Sequence, residues 1–270
     1  MLNLIKVDIQ NCINNMRFKV SFFILFAIST INYIFTLLNS INETSNVIHI
    51  SRYQGIVLGT GGGGRSVWGF FILIMPLLVV SIFSDSFYLE KKSGSYISIF
   101  QRAGKTKYVL SKLIVCGIIS FFSVLFVILI NEALSYITFN GVGSYLAGYP
   151  SYESIYMDSI PLLGSFGDEY IILGKFIIIL INSIYAAIIS MFAFSVSLVF
   201  DVKNYVIIVG VFILDYMIDL LIPSMLSRKF SMFLMRQGAG ENIIYFLIII
   251  GLWSLIIGIF TIIGLKKDLF

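Results

Sequence analysis

Ser84 to Lys112 reads SDSFYLEKKSGSYISIFQRAGKTKYVLSK, a basic, turn-containing stretch set between two long apolar runs. It carries Lys91, Lys92, Arg102, Lys105, Lys107 and Lys112 out of the chain's 18 Lys and Arg residues. On either side Ile, Leu, Phe and Val dominate, and that contrast decides the fold class. Across 270 residues, 59% are hydrophobic and 12% charged, with a mean hydropathy of +0.98, outside the range of ordinary water-soluble domains. The expectation is an all-α polytopic membrane protein. A net charge of +4 would direct attention to nucleic acid in a soluble chain. Here the basic residues cluster at the ends of apolar runs, as the positive-inside bias requires, and nucleic acid is set aside.

Windows of about 19 residues predict six transmembrane helices. They fall at Val20–Leu38, Val67–Phe87, Val109–Ile137, Ile171–Phe200, Tyr205–Ile222 and Ile243–Leu265. The third and fourth exceed the ~20 residues that a bilayer needs, which predicts tilt or projection into water. Residues 1–270 are therefore read as a single six-span domain without an internal repeat, leaving no room for a nucleotide-binding domain. The apolar run after Lys19 is long enough to span and no small-residue site closes it, so no cleavable signal is expected. Cys12 and Cys116 are too few for a metal cluster or a disulfide framework and are expected to be inert.

Lys6, Arg17 and Lys19 precede the first span. Lys91, Lys92, Arg102, Lys105 and Lys107 separate the second from the third, Lys203 the fourth from the fifth, and Lys266 and Lys267 follow the sixth. All fall on one side of a six-span chain, predicting a multi-pass protein of the plasma membrane with both termini cytoplasmic. High Ile, Asn and Lys usage points to a bacterial source. The opposite loops carry Glu43, Glu153, Asp158, Asp168, Glu169 and Glu241, but also Arg52, Arg65, Arg228, Lys229 and Arg236. The last three run against the bias.

Two segments have an amphipathic pattern. In residues 1–17, Leu2, Ile5, Ile9, Cys12, Ile13 and Met16 recur at helical spacing while Lys6, Asp8, Gln10, Asn14 and Asn15 mostly take the other side, predicting a helix in the membrane interface. In residues 88–107, Tyr96, Ile97, Ile99 and Phe100 form an apolar centre between flanking charges. A short helix parallel to the membrane is expected there, with Gly94 ending the preceding helix and Gly104 closing the short one as a left-handed cap. Tyr108 and Lys112 then open the third span at the interface. Charge that merely fixes topology is the plainer account of this loop. Its apolar centre argues against that account.

Gly59 to Ser66, GTGGGGRS, has P-loop spacing with Arg in place of Lys. Without a strand before it, and with an apolar span after it, it is read as an external loop leading into Trp68. Ionisable residues within spans are functional candidates. Asp215 and Asp219 lie one turn apart on the fifth span, Asn131 and Glu132 in the outer part of the third, and Asn182 in the fourth. The two aspartates fit either a polar stripe along a translocation path or a contact between helices, with Lys175 or the external basic segment as partner. His49 sits in a loop and no proton relay continues from it. In the second span, Phe70, Phe71, Met75 and Pro76 are candidates to line a lumen, although Met and Phe also fill cores.

The order of parts, with Glu90–Lys91–Lys92–Ser93–Gly94, then Arg102, then Tyr108–Val109–Leu110–Ser111–Lys112, resembles the membrane subunit of type 2 ABC exporters, of the peptide or antibiotic export and immunity kind. Glu90, Gly94, Arg102, Tyr108 and Lys112 match that family's acidic, Gly, Arg, Tyr and Lys positions, and span number and length agree over nearly the whole chain. The resemblance implies a half-transporter with residues 1–17 as an elbow helix. Residues 88–107 would be a cytoplasmic coupling helix between spans 2 and 3, and 223–242 an external re-entrant or interfacial segment. ATPase-coupling residues would be Glu90, Lys91, Lys92, Gly94, Tyr96, Phe100, Arg102, Gly104, Lys107, Tyr108 and Lys112. Substrate-path candidates are Phe71, Met75, Phe212, Asp215, Tyr216 and Asp219.

The implied partners are cytoplasmic ABC ATPase subunits, a second permease chain, identical or homologous, and the lipid bilayer. ATP and Mg would sit on the ATPase, so this chain is expected to hold no cofactor or metal and to be no enzyme. The implied function is export of amphipathic peptides or other hydrophobic compounds. A non-transporting anchor or sensor would use the same loop without a substrate path. An intramembrane enzyme has only Asp215 and Asp219 to build on, without a flanking Gly-Asp signature or histidine.

Overall fold

The computed structural model describes residues 2–42, 61–83, 86–138, 171–200, 203–221 and 243–267. The predicted segment 223–242 lies outside the described residues, as do His49, Arg52 and the acidic residues of the predicted external loops. Among the described residues every regular element is a helix. In chain order these are α1 (Leu2–Asn14), α2 (Met16–Asn42), α3 (Gly61–Phe83), α4 (Ser86–Ser93), α5 (Ser95–Ala103) and α6 (Lys105–Thr138). They continue as α7 (Ile171–Val199), α8 (Asn204–Leu221) and α9 (Ile243–Lys266).

Among the described residues, three stretches are long and apolar enough to cross a membrane: Met16–Leu38 in α2, Lys105–Thr138 in α6 and Lys175–Val199 in α7. Shorter apolar stretches, Ser66–Ile82, Tyr205–Met217 and Ile250–Lys266, occupy α3, α8 and α9. With 34 residues, α6 extends for about 50 Å, well beyond ~30 Å of hydrocarbon. Its first turns therefore belong to the surface end of the bundle.

Side-chain contacts fix the helix directions. Ser29 Oγ donates to the Val127 carbonyl at 3.2 Å and the Tyr33 and Thr138 hydroxyls meet at 2.5 Å, so α2 and α6 run parallel. Ser21 and Ser81 meet at 2.6 Å, setting α3 antiparallel to α2. Lys175 pairs with Glu132, setting α7 antiparallel to α6. The result gathers α1, α4, α5, the start of α6 and the ends of α7 and α9 at one end of the bundle.

At the centre, α7 is buried along nearly its whole length from Ile178 to Leu198. Ser183, Ala186, Ala187, Ser190, Ala193 and Ser197 are small enough to admit close neighbours. Two contacts show how close. A Cβ on Gly264 of α9 would stand 2.7 Å from Leu198 Cβ, and one on Gly117 of α6 would stand 3.0 Å from Met191 Sδ. Around α7 the core is filled by Leu25, Phe71, Met75, Val79, Val124, Val127, Ile128, Ile207, Val211, Trp253 and Ile257.

Several expectations are corrected. The glycine run is helical from Gly61, so its described part is the first turn of α3 and no loop. The second apolar run is described as α3 to Phe83 and as α4 from Ser86. Likewise α6 starts at Lys105, four residues before Val109, because Gly104 alone separates it from α5. Most consequential is α1, whose buried stripe is Ile5, Asp8, Ile9 and Cys12, while Leu2 is 82% and Met16 71% exposed. The acidic residue placed on its polar side faces inward.

Candidate functional site

The segment from α4 to the start of α6 is shaped by two glycines with positive φ, Gly94 (72°) and Gly104 (81°), among the described residues. At each, space would admit a Cβ, so the constraint is conformational: left-handed backbone costs an L-residue roughly 1–2 kcal/mol. Gly94, with ψ 0°, lets α4 stop and α5 start on a new axis. At Gly104 the N–H donates to the Phe100 carbonyl at 2.9 Å, closing α5. Its ψ of 142° carries it out of the left-handed helical well that was expected.

Of the apolar centre of α5, Tyr96, Ile99 and Phe100 face inward and Ile97 is exposed. Tyr96 is buried and meets Phe100 edge-on at 5.3 Å, and Phe100 meets Tyr108 of α6 edge-on at 4.8 Å. These three rings set α5 on α6. On the outer side Ser95, Ile97, Ser98, Gln101 and Arg102 are exposed, followed by Thr106 and Lys107.

Behind α5 lies a cluster of charges. Lys112, 1% exposed, directs its ammonium to Glu90 Oε1 at 2.6 Å and to Asp8 Oδ1 at 3.2 Å. Tyr108 donates its hydroxyl proton to Glu90 Oε2, and Ser111 Oγ stands 3.4 Å from Asp8 Oδ2. The same ammonium lies 5.2 Å from the centre of the Tyr108 ring. Tyr108 and Lys112 are one turn apart, so both face α4 and α1 together. Burial pushes the Asp8 carboxyl above the ordinary carboxylate range, against the opposing pull of Lys112. Burial also raises the Cys12 thiol to about 12, leaving it neutral. Cys116, one turn beyond Lys112, is buried in the same apolar cluster as Cys12.

The same end is tied to the last helix. Lys105 Nζ donates to the carbonyls of Leu265 (2.6 Å) and Lys267 (2.7 Å), and Lys267 Nζ donates to that of Val199 (2.8 Å). Cations at helix C-termini satisfy carbonyls that lack an intrahelical partner and complement the dipole.

Of the sequence-predicted coupling residues, Glu90, Tyr96, Phe100, Tyr108 and Lys112 come together as an internal scaffold. Gly94, Arg102, Gly104 and Lys107 lie on the exposed surface. Lys91 is partly exposed on α4, and the Lys92 side chain lies outside the described part. The substrate-path candidates lie on α3 and α8. Phe71 and Met75 are fully buried in the core of this one chain, and Trp68 stacks on Phe71 at 5.4 Å. Tyr216 is exposed on α8, Phe212 is partly buried there, and the Asp219 side chain lies outside the described part. Asp215 accepts the hydroxyl proton of Tyr185 on α7, and Lys175 pairs with Glu132 on α6.

Asp8 was missed because residues 1–17 were divided into two faces by polarity alone. Its place at the centre of Ile5, Asp8, Ile9 and Cys12, at i, i+3, i+4 and i+7, was the available signal. Compared with known proteins, the chain matches no family model, no curated protein and no solved structure.

Proposed function

We propose that this chain is the transmembrane permease subunit of an ATP-driven ABC exporter, with the outer face of α5 as the surface that docks a separate cytoplasmic ATPase. One observation carries the reading. A short helix is held between two positive-φ glycines, stacked by three rings onto α6, and presents Ile97, Ser98, Gln101 and Arg102 outward at the end where the basic residues gather. Under this proposal α2, α3, α6, α7, α8 and α9 are six spans of the plasma membrane. The gathered end is cytoplasmic, α1 is the elbow helix, and ATP and Mg reside on the partner. The cargo class is amphipathic peptides or other hydrophobic compounds. Because Phe71 and Met75 are core residues, the path lies between this chain and a second permease chain.

That burial also favours a second reading, a non-transporting anchor or sensor that recruits a cytoplasmic partner through the same face. Affinity purification in mild detergent, with ATP hydrolysis measured in the eluate, separates the possibilities. The native chain retains an ATPase and the Ile97→Asp/Arg102→Glu variant loses it while staying folded. Retention of the ATPase by that variant removes α5 as the docking face, and absence of any ATPase from the native chain under several gentle extractions removes the exporter. Retained ATPase without cargo movement in vesicles gives the anchor.

A further inference from the structure

The cluster at Lys112 joins elements that the sequence keeps far apart. One ammonium serves a carboxylate from α1 and another from α4, so α1 and α4 are joined through the same group. From Glu90 the chain of contact continues through the Tyr108 hydroxyl to the Tyr108 ring, and from that ring to Phe100 on α5. Asp8 is the point at which the leader enters it. Besides Asp8, α1 packs Ile5, Ile9 and Cys12 into the apolar cluster.

We infer that Asp8 is a positioning residue of the docking segment: acting through Lys112 and Glu90, it makes the leader helix α1 and the docking helix α5 a single mechanical unit. The docking role of α5 is taken from the proposed function; the mechanical unit stands or falls without it. Asp8 touches no partner and no cargo. It sets where α5 sits by fixing the cation that holds Glu90.

The chain carries its own reporter. Cys12 and Cys116 are its 2 cysteines, both buried, one on each side of the α1–α6 contact. In the native chain both should react slowly with a membrane-permeant maleimide, since a buried neutral thiol is neither accessible nor nucleophilic. The experiment uses the full chain in its membrane. Cys12 is followed in a Cys116→Ser background as the reporter of α1. Ile99→Cys, partly buried on the inner side of α5, is followed with both native cysteines changed to Ser.

Asp8→Ala removes the oxygens that Lys112 and Ser111 reach and is expected to raise labelling at both positions by about tenfold to a hundredfold, the scale of losing a hydrogen bond to a charged group, and Asp8→Glu to restore most of the protection at both. An Asp8→Ala variant that exposes Cys12 but leaves Ile99→Cys at its native rate overturns the inference, because α1 would then be merely fastened beside α5. Unchanged labelling at both sites overturns it too. Should Asp8→Ala fail to accumulate, a urea titration of each reporter in the Asp8 chain decides: coincident exposure supports one unit, and separate midpoints refute it. Labelling needs no ATPase, so the absence of a partner would not imitate failure here.

Discussion

Lys112 and Lys175 are both buried ammonium groups, at 1% and 8% side-chain exposure, yet they sit in regions of different construction. Lys175 on α7 pairs with Glu132 on α6 and joins two helices already packed along their length, as Gly117 against Met191 illustrates. Lys112 meets carboxylates from two short helices, α1 and α4, and brings to one point elements that also share the apolar cluster of Cys12, Phe87, Tyr108 and Cys116. Within the bundle, an ion pair satisfies charges that burial has trapped between two helices. At the surface end, one cation joins separate elements beside that cluster and the Lys105 clamp. The two lysines thus contrast a pair between two long helices with a junction among short ones.

Lys112→Met is expected to have the largest effect, because it leaves Asp8 and Glu90 beside each other without a cation. A destabilisation of about 3–5 kcal/mol, read as a lowered unfolding midpoint in detergent, would match the loss of one member of a buried pair. Lys175→Met should fall at or below the low end of that range, and adding Glu132→Leu should bring the midpoint back to within about 1 kcal/mol of native, since apolar replacement of a buried pair is often neutral. A double variant as damaged as Lys112→Met would erase the distinction. Next in size is Gly104→Ala, which forces an L-residue to φ 81° and ψ 142°, a region that is essentially glycine's alone, and should cost roughly 1–3 kcal/mol, with loosening confined to α5 in hydrogen exchange.

Arg102→Glu, on an exposed position, should shift stability by no more than about 0.5 kcal/mol while removing ATPase from the purified complex. The smallest effect concerns pH. A carboxyl whose folded pKa is raised binds more protons in the folded state, so its share of stability grows as pH falls through that pKa toward the unfolded value and shrinks as pH rises. Acidification from neutral through this window, which begins above the ordinary value of 3.8, should therefore leave Cys12 protected from maleimide through the Asp8 term alone. Release of α1 on mild acidification would show the ion pair outweighing desolvation.

The helical class, the helix at each predicted apolar run and the short helix between Gly94 and Gly104 were legible in the sequence, because each rests on composition or local periodicity. The orientations of these helices were harder to read. Tyr96 and Phe100, read as the apolar centre of the short helix, seat α5 on Tyr108. Phe71 and Met75 fitted a lumen or a core, and both are buried within this chain, a choice that sequence alone leaves open because an aromatic or Met side chain suits either. Asp8 shows the converse. A charge inside an apolar stripe looks like an interruption until a residue 104 positions away supplies the opposite sign. Long-range complementarity of that kind has no local signature.

The length of α6 has a mechanical side. A straight rod of 34 residues is about 50 Å long, so a tilt of about 10° around its midpoint would swing the Lys105 end through roughly 4 Å. That end carries Tyr108 and Lys112, with α1, α4 and α5 attached, and Lys105 is clamped to the end of α9. The helix is therefore a lever whose short-range load is the entire surface assembly, and the two carbonyls held by Lys105 act as its stop. Any rocking of the apolar bundle larger than an ångström or two must either carry α9 with it or let go of that lysine.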